Sequence, residues 1–257
     1  MLKRIFVFLL IILLLGILAY LLVENDKIIS GNIVKTSEYK KETVFVSKVV
    51  DGDTIKDLSG NSYRLLGINT PEKAKPYYQE AKNFLIEGIE NKSVEVLRDA
   101  TDKDQYGRKL RYVFYDNRLI NVEILEKGFA TSFMLDSLIY ENKLKTAENF
   151  AKENQIGLWE RSSDICASCI SLEKLEPIED YFIIKNNCNH NCILAGWLVK
   201  DDANHFFKID NLNAGDDKKY DSMIIFKKEV WNDKGDRFFM RDKNGKLVVF
   251  YEYVGNK

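Results

Sequence analysis

The sequence predicts an α+β domain, a five-stranded barrel carrying about three helices, followed by an all-β sandwich, with an apolar helix in front of both. Three observations predict it. Between residues 43 and 160, β-prone runs and tight turns alternate with stretches of helical spacing. Beyond residue 180 only short β-prone runs and turn clusters remain. The first 23 residues hold one long uncharged apolar stretch. A chain of 257 residues with 46% hydrophobic content is long enough for two ordinary cores. Only three prolines and no low-complexity tract exclude a largely disordered chain. No internal repeat of solenoid or propeller period is present.

Lys3 and Arg4 precede residues 5–23, which carry no charge. At about 1.5 Å rise per residue such a helix spans most of the roughly 30 Å hydrocarbon layer. The positive flank stays in the cytoplasm, so segment 1–23 predicts a membrane anchor with the rest of the chain exported. A cleaved signal segment and secretion is the alternative. Against it, the apolar run exceeds the usual length of about 7–15 residues, and no small-x-small cleavage site follows. Residues 24–42 are polar and mixed in charge, as a tether is.

The run TVFVSKVV reads as a strand and DGD as a turn; TIKDL, SGN and SYRLLGI read as strand, turn, strand. Within 78–89, Ala81, Phe84, Leu85 and Ile89 recur at helical spacing. SVEVLR and KLRYVFY are further strands, and 121–127 and 143–153 read as helices. Five strands with about three helices between 43 and 160 suggest a small barrel of OB type. Residues 161–180 read as a polar connector carrying two cysteines. From 181 to 257 come YFIIK, GWLVK, HFFKI, SMIIF, DRFFM and KLVVFYEY, separated by NNCNHN, NLNAGDD and DKNG. That is the pattern of a β-sandwich of roughly 75 residues.

Charge narrows the function. There are 38 basic and 39 acidic residues, and setting Lys3 and Arg4 aside leaves 36 against 39. Such a chain has no bulk positive field to package a polyanion. If it meets nucleic acid, a few local cations must hold the substrate, helped by a metal.

Three segments supply chemistry: DGDT at 51–54, RLLGINTPE at 64–72, and DQYGR at 104–108. Alone, each has a structural explanation as a turn, a solvated strand arginine or a helix start. Together they offer the parts of metal-assisted phosphodiester hydrolysis. Asp53 supplies a hard carboxylate oxygen of the kind calcium takes, Asn69 a side-chain carbonyl and Thr70 a backbone one. Glu72 lies near enough in sequence to orient or deprotonate a water. Arg64 and Arg108 bring planar forks that match phosphate oxygens.

In order and spacing, DGDT, RLLGINTPE and QYGR resemble the motifs of the thermonuclease (staphylococcal nuclease-like) family, and EAKNFL, LINVEILEKGFA and AKENQIGLW resemble its helical segments. The resemblance covers about 43–159. It implies an OB-type barrel and calcium-dependent cleavage of DNA and RNA. It also implies Asp53 as a calcium ligand, Thr70 as a backbone-carbonyl ligand, Glu72 as general base, and Arg64 and Arg108 as catalytic arginines. Asp51, Thr54, Tyr106 and Tyr112 would line or support the pocket. One departure matters: Asn69 stands where the family commonly has a second calcium-binding aspartate. The oxygen is kept and the charge lost, so calcium should bind more weakly. Nucleic-acid binding without efficient cutting therefore stays open as a second function, and surface adhesion through the sandwich as a third.

Cys166, Cys169, Cys188 and Cys192 form C-x2-C and C-x3-C clusters, with His190 inside the second. Two disulfides, which persist in an exported compartment, and a structural zinc site both fit this spacing. The segment 181–253 resembles a lamin-tail domain, a small immunoglobulin-like sandwich, through GW at 196–197, NAGD at 213–216, VW at 230–231, KGDR at 234–237 and DKNGKLV at 242–248. Phe206, Phe207, Trp197 and Trp231 are expected in its core.

Overall fold

The computed structural model describes residues 40–134 and 137–255. The apolar segment 1–23 and nearly all of the tether expected at 24–42 lie outside the described residues. Among the described residues no helix is long and apolar enough to cross a membrane.

The first half builds β1 (Glu42–Val49), β2 (Thr54–Asp57), β3 (Ser62–Leu65), β4 (Ile68–Asn69), α1 (Tyr78–Ile89), β5 (Ser93–Leu97), β6 (Lys109–Tyr115), β7 (Arg118–Leu119), α2 (Ile120–Glu126), β8 (Thr131–Ser132) and α3 (Glu141–Glu153). Strands β1, β2 and β3 form an antiparallel meander; β1 pairs with β5 and β5 with β6, again antiparallel. The barrel closes through a parallel pairing of β3 with β6 that sets Arg64 beside Leu110. The five barrel strands β1, β2, β3, β5 and β6 and the three helices are thus present as expected, an OB-like barrel with helices packed on it, and β4, β7 and β8 are short two-residue additions. The alternation in β1 points Val44 and Val46 inward, and a register shift between Val46 and Lys48 returns Val49 to the same face, where they meet Ile55, Leu65, Val96 and Val113. One apolar stripe of each helix covers this core: Ala81, Leu85 and Ile89 from α1, Ile124 and Leu125 from α2, Leu144 and Ala147 from α3.

The second half builds β9 (Ile170–Glu176), β10 (Tyr181–Asn186), β11 (Leu198–Lys200), β12 (Phe206–Lys208), β13 (Asp217–Asp221), α4 (Ser222–Phe226), β14 (Gly235–Arg241) and β15 (Leu247–Val254). One sheet runs β13-β10-β9 and the other β12-β11-β14-β15. Phe182 lies at the centre of their core. Its ring meets Phe207, Tyr220, Trp231 and Phe238 at centroid distances of 4.9, 5.0, 5.8 and 5.3 Å. Trp197, Trp231 and Phe207 are core residues as expected, whereas Phe206 is only half-buried and lies under Lys75 of the barrel domain.

Two expectations are corrected here. The polar connector read at 161–180 contains strand β9, whose pairing with β10 extends a sandwich sheet. SMIIF forms helix α4 instead of a strand, because the Asp221 side chain accepts from the Ile224 N–H and starts a helical turn.

The cysteines pair across the clusters, Cys166 with Cys192 and Cys169 with Cys188, at Cα separations of 5.9 and 5.2 Å. The structural-zinc alternative gives way, since among the described residues no free thiol remains to ligate.

A third core joins the halves. Trp159 and Ala151 of the barrel domain pack with Phe239 and Leu247 of the sandwich, and Trp159 meets Phe250 edge-on at 5.2 Å. Beside it, Arg237 of β14 is buried against Glu148 of α3 at 2.9 Å and against Asp202 at 2.6 Å. Glu148 also accepts from the Ser132 N–H and hydroxyl, so its lone pairs are well used.

Two measurements check this organisation. Peptide mapping without reductant is expected to recover the Cys166–Cys192 and Cys169–Cys188 pairs, and reduction should cost about 3 kcal/mol of stability per bridge, as closing loops of this length implies. Glu148→Ala leaves one side of the buried Arg237 charge uncompensated, and denaturant unfolding should show a loss of about 3 kcal/mol or more.

Candidate active site

The cleft is organised around one carboxylate. The turn between β1 and β2 presses its glycine against α1: a Cβ on Gly52 would lie 2.6 Å from the Ala81 Cβ and 2.9 Å from the Thr70 hydroxyl. That close approach drives Asp53 inward, where it is 6% exposed. Its Oδ2 accepts from the Thr70 N–H at 3.1 Å and the Thr70 hydroxyl at 2.8 Å. The same oxygen pairs with Arg64 at 3.1 Å, and Oδ1 accepts from the Thr54 hydroxyl at 3.1 Å.

Arg64, on β3, also donates to the Asn69 side-chain oxygen at 3.3 Å. Arg108 enters from the turn before β6. Asp104 holds that turn, accepting from the Tyr106 and Arg108 N–H groups at 2.9 Å each and from the Arg108 Nε at 2.7 Å. Burial works against the Asp104 charge, but the hydrogen bonds from Arg108 more than offset it and hold its carboxyl below the usual range. Arg108 also donates to the Thr54 hydroxyl at 3.4 Å, and its guanidinium lies 5.4 Å from the centre of the exposed Tyr106 ring. A continuous path of polar contacts therefore runs Arg108–Thr54–Asp53–Arg64–Asn69.

Asp51 accepts from the Asp53 N–H at 3.1 Å. Burial, and then the neighbouring Asp53 charge, push its carboxyl up to about 6. Two carboxylates crowded in this way, with an amide oxygen nearby, are a hard-oxygen donor set that suits a divalent cation such as calcium. Asp53, Asn69 and Thr70, the residues expected to hold the metal, line the cleft together, and Asp51, expected to support it, sits beside Asp53.

All of Asp51, Asp53, Arg64, Asn69, Thr70, Glu72, Tyr106 and Arg108 line one cavity of about 910 Å³, and Lys73 and Lys103 add local positive charge. Thr54 acts from just behind it. Tyr112 does not line it: the side chain is fully buried and its hydroxyl donates to Asp99 at 2.8 Å. Burial and then that bond push the Tyr112 hydroxyl well above its ordinary value. Asp99 lines the cavity, so Tyr112 supports it at one remove. Three contributors carry no sequence signal. Asp99 follows a strand with no local signal, and Ala203 and Asn204 reach the cavity from the sandwich domain. Glu72 accepts from the Asn204 amide at 3.3 Å.

A closed five-strand barrel gathers a buried aspartate, two arginines and a glutamate around one cleft on an OB-like scaffold. A family model described as staphylococcal nuclease homologue matches residues 62–161. A thermonuclease of Staphylococcus intermedius is 33% identical over 136 residues, covering 49% of this chain and 81% of that protein. A thermonuclease of Staphylococcus hyicus is 31% identical over 133 residues, covering 48% and 79%. An uncharacterized endonuclease of Haemophilus influenzae is 33% identical over 130 residues, covering 49% and 71%. The chain belongs to the staphylococcal nuclease family. The family match begins at Ser62, beyond DGDT, and the Thr54–Arg64 register pair ties that turn to it.

The tight seat of Gly52 gives a direct check. Gly52→Ala has to displace Thr70 or α1, which should cost about 1–3 kcal/mol in denaturant unfolding. The same displacement loosens the Thr70 bonds to Asp53, visible as a shift of the Thr70 amide resonance.

Proposed function

We propose that this protein is a calcium-dependent nuclease that hydrolyses phosphodiester bonds of DNA and/or RNA outside the cytoplasm. The observation that carries the reading is the convergence of Arg64, Arg108, Glu72 and the Asp51–Asp53 pair on one cleft. In this reading Asp53, the Asn69 oxygen and the Thr70 carbonyl hold the ion, with Asp51 behind them. The bound ion would neutralise phosphate charge. Glu72 orients or deprotonates the attacking water. Arg64 and Arg108 present forked donors to the phosphate oxygens, where negative charge builds in the transition state. Tyr106, exposed above Arg108, offers an aromatic face to a base.

The location rests on Lys3 and Arg4 ahead of the uncharged segment 5–23, and on two disulfides, which persist in exported proteins. A membrane anchor with the cleft outside is the proposal, and secretion after signal cleavage is its variant. The resemblance of the sandwich to lamin-tail domains supports a role in presenting the nuclease to substrate.

Asn69 favours one other reading, binding without efficient cutting, because its amide brings no charge to the ion. Plasmid and RNA degradation across a calcium titration, with a chelator control, separates the two. Glu72→Gln should keep the fold and lose at least about 10²-fold in turnover, and Arg108→Ala should be similarly severe. Asn69→Asp should lower the calcium concentration needed for half-maximal cutting. A Glu72→Gln protein as fast as wild type removes Glu72 as the base, and retention of DNA without shortening at any calcium level favours the binding reading.

A further inference from the structure

The residue expected to handle the attacking water is poorly held by its own domain. Glu72 is exposed, in the irregular segment between β4 and α1. That segment contains Ala74 and Tyr77 in the left-handed region. Among the described residues, Asn204 supplies the one side-chain hydrogen bond to the Glu72 carboxylate, 132 positions away in the chain. A second contact from the sandwich reaches the same segment, the Lys75 ammonium lying 4.1 Å from the centre of the Phe206 ring.

The loop that carries Asn204, between β11 and β12, is braced. The Asp201 carboxylate is fully buried and accepts from the His205 N–H, while its other oxygen meets the His205 ring Nδ1, each at 2.6 Å. Asp202 donates its N–H to Asp236 at 3.1 Å and pairs through its carboxylate with Arg237 at 2.6 Å. Its carbonyl accepts from the Asn69 side chain at 3.1 Å, so the loop grips a second cleft residue. Asn204 adopts φ 66°, a conformation asparagine tolerates better than most residues.

The amide is also oriented. The Lys200 ammonium is a donor only, and it lies 3.0 Å from the Asn204 Oδ1. The Asn204 oxygen must face Lys200, which turns the NH2 group towards Glu72. A long flexible carboxylate thereby acquires a fixed donor on a rigid loop.

We infer that Asn204 of the sandwich domain is a positioning residue for Glu72, so that the loop 201–205 completes the catalytic cleft of the barrel domain. The inference rests on the nuclease reading above. A hydrogen bond to a charged group that matters mainly for orientation should act on turnover more than on binding.

The test uses the full chain in detergent with calcium, with plasmid and a small ester, bis(p-nitrophenyl) phosphate, as substrates. Asn204→Gly removes the amide while keeping the left-handed turn free of strain. It should lower kcat about 10-fold on both substrates and leave KM unchanged, measured well below the melting temperature of either protein because the buried Lys200 also loses an acceptor. Asn204→Asp sets a like charge against Glu72 and should lower kcat further. In a Glu72→Gln background, Asn204→Gly should have no added effect, because the two residues act as one unit. Wild-type kcat in Asn204→Gly, a faster variant, a change in KM alone, or additive losses in the double variant would each overturn the inference while the nuclease reading stands. Wild-type protein that cuts neither substrate would overturn both.

Discussion

The parallel pairing of β3 with β6 is the constraint on which the site depends. Every other pairing among the five barrel strands is antiparallel and joins neighbours in the ring. This one closes the ring, and it does so between segments far apart in sequence. It lays Arg64 beside Leu110, so the turn preceding β6 delivers Arg108 to the edge that already carries Arg64. An open sheet with the same strands would leave the two guanidinium groups on separate edges. Beside that edge, the 51–54 turn is seated against both α1 and Thr70.

Asp53 converts that geometry into an electrostatic arrangement. It is nearly buried, which would be costly for a bare carboxylate, and four contacts offset the cost: Arg64, two from Thr70, and one from Thr54. Thr54 in turn receives Arg108, so both arginines are referenced to one oxygen pair. Each arginine is also paired with a carboxylate, Arg64 with Asp53 and Arg108 with Asp104, so the guanidinium forks are held in fixed places within a cleft whose own charges are nearly balanced. Like the chain as a whole, the cleft has no bulk positive excess behind it.

Most of the barrel and its cleft was legible in the sequence because the determinants are local. DGDT is a turn by its own chemistry, and Ala81, Leu85 and Ile89 mark the buried stripe of α1 before any partner is known. Asp53, Arg64 and Arg108 could be read for the same reason, as residues fixed to a turn or strand. The failures are equally physical. SMIIF is β-prone by composition, but Asp221 in front of it caps a helical turn, and a single hydrogen bond decided between the two. Strand β9 sits in a polar stretch, ISLEKLE, because it is a sheet edge and only partly covered. Asn204 left no trace at all, since a contact made across 132 residues by a loop asparagine has no periodicity to detect. For the cysteines, spacing left pairing and metal equally open, and only the approach of the two clusters in space decided it.

The small core of Trp159, Ala151, Phe239 and Leu247 belongs to neither half alone. Trp159 closes the barrel domain's last helical turn, and its ring is 1% exposed only because the sandwich covers it. Separating the halves would bring that indole and the facing phenyl rings of Phe239 and Phe250 into water together. Two domains coupled in this way are not interchangeable cassettes on a string. A barrel domain carried alone would expose the Trp159 indole, and a sandwich carried alone the rings of Phe239 and Phe250, so each half completes the other's surface.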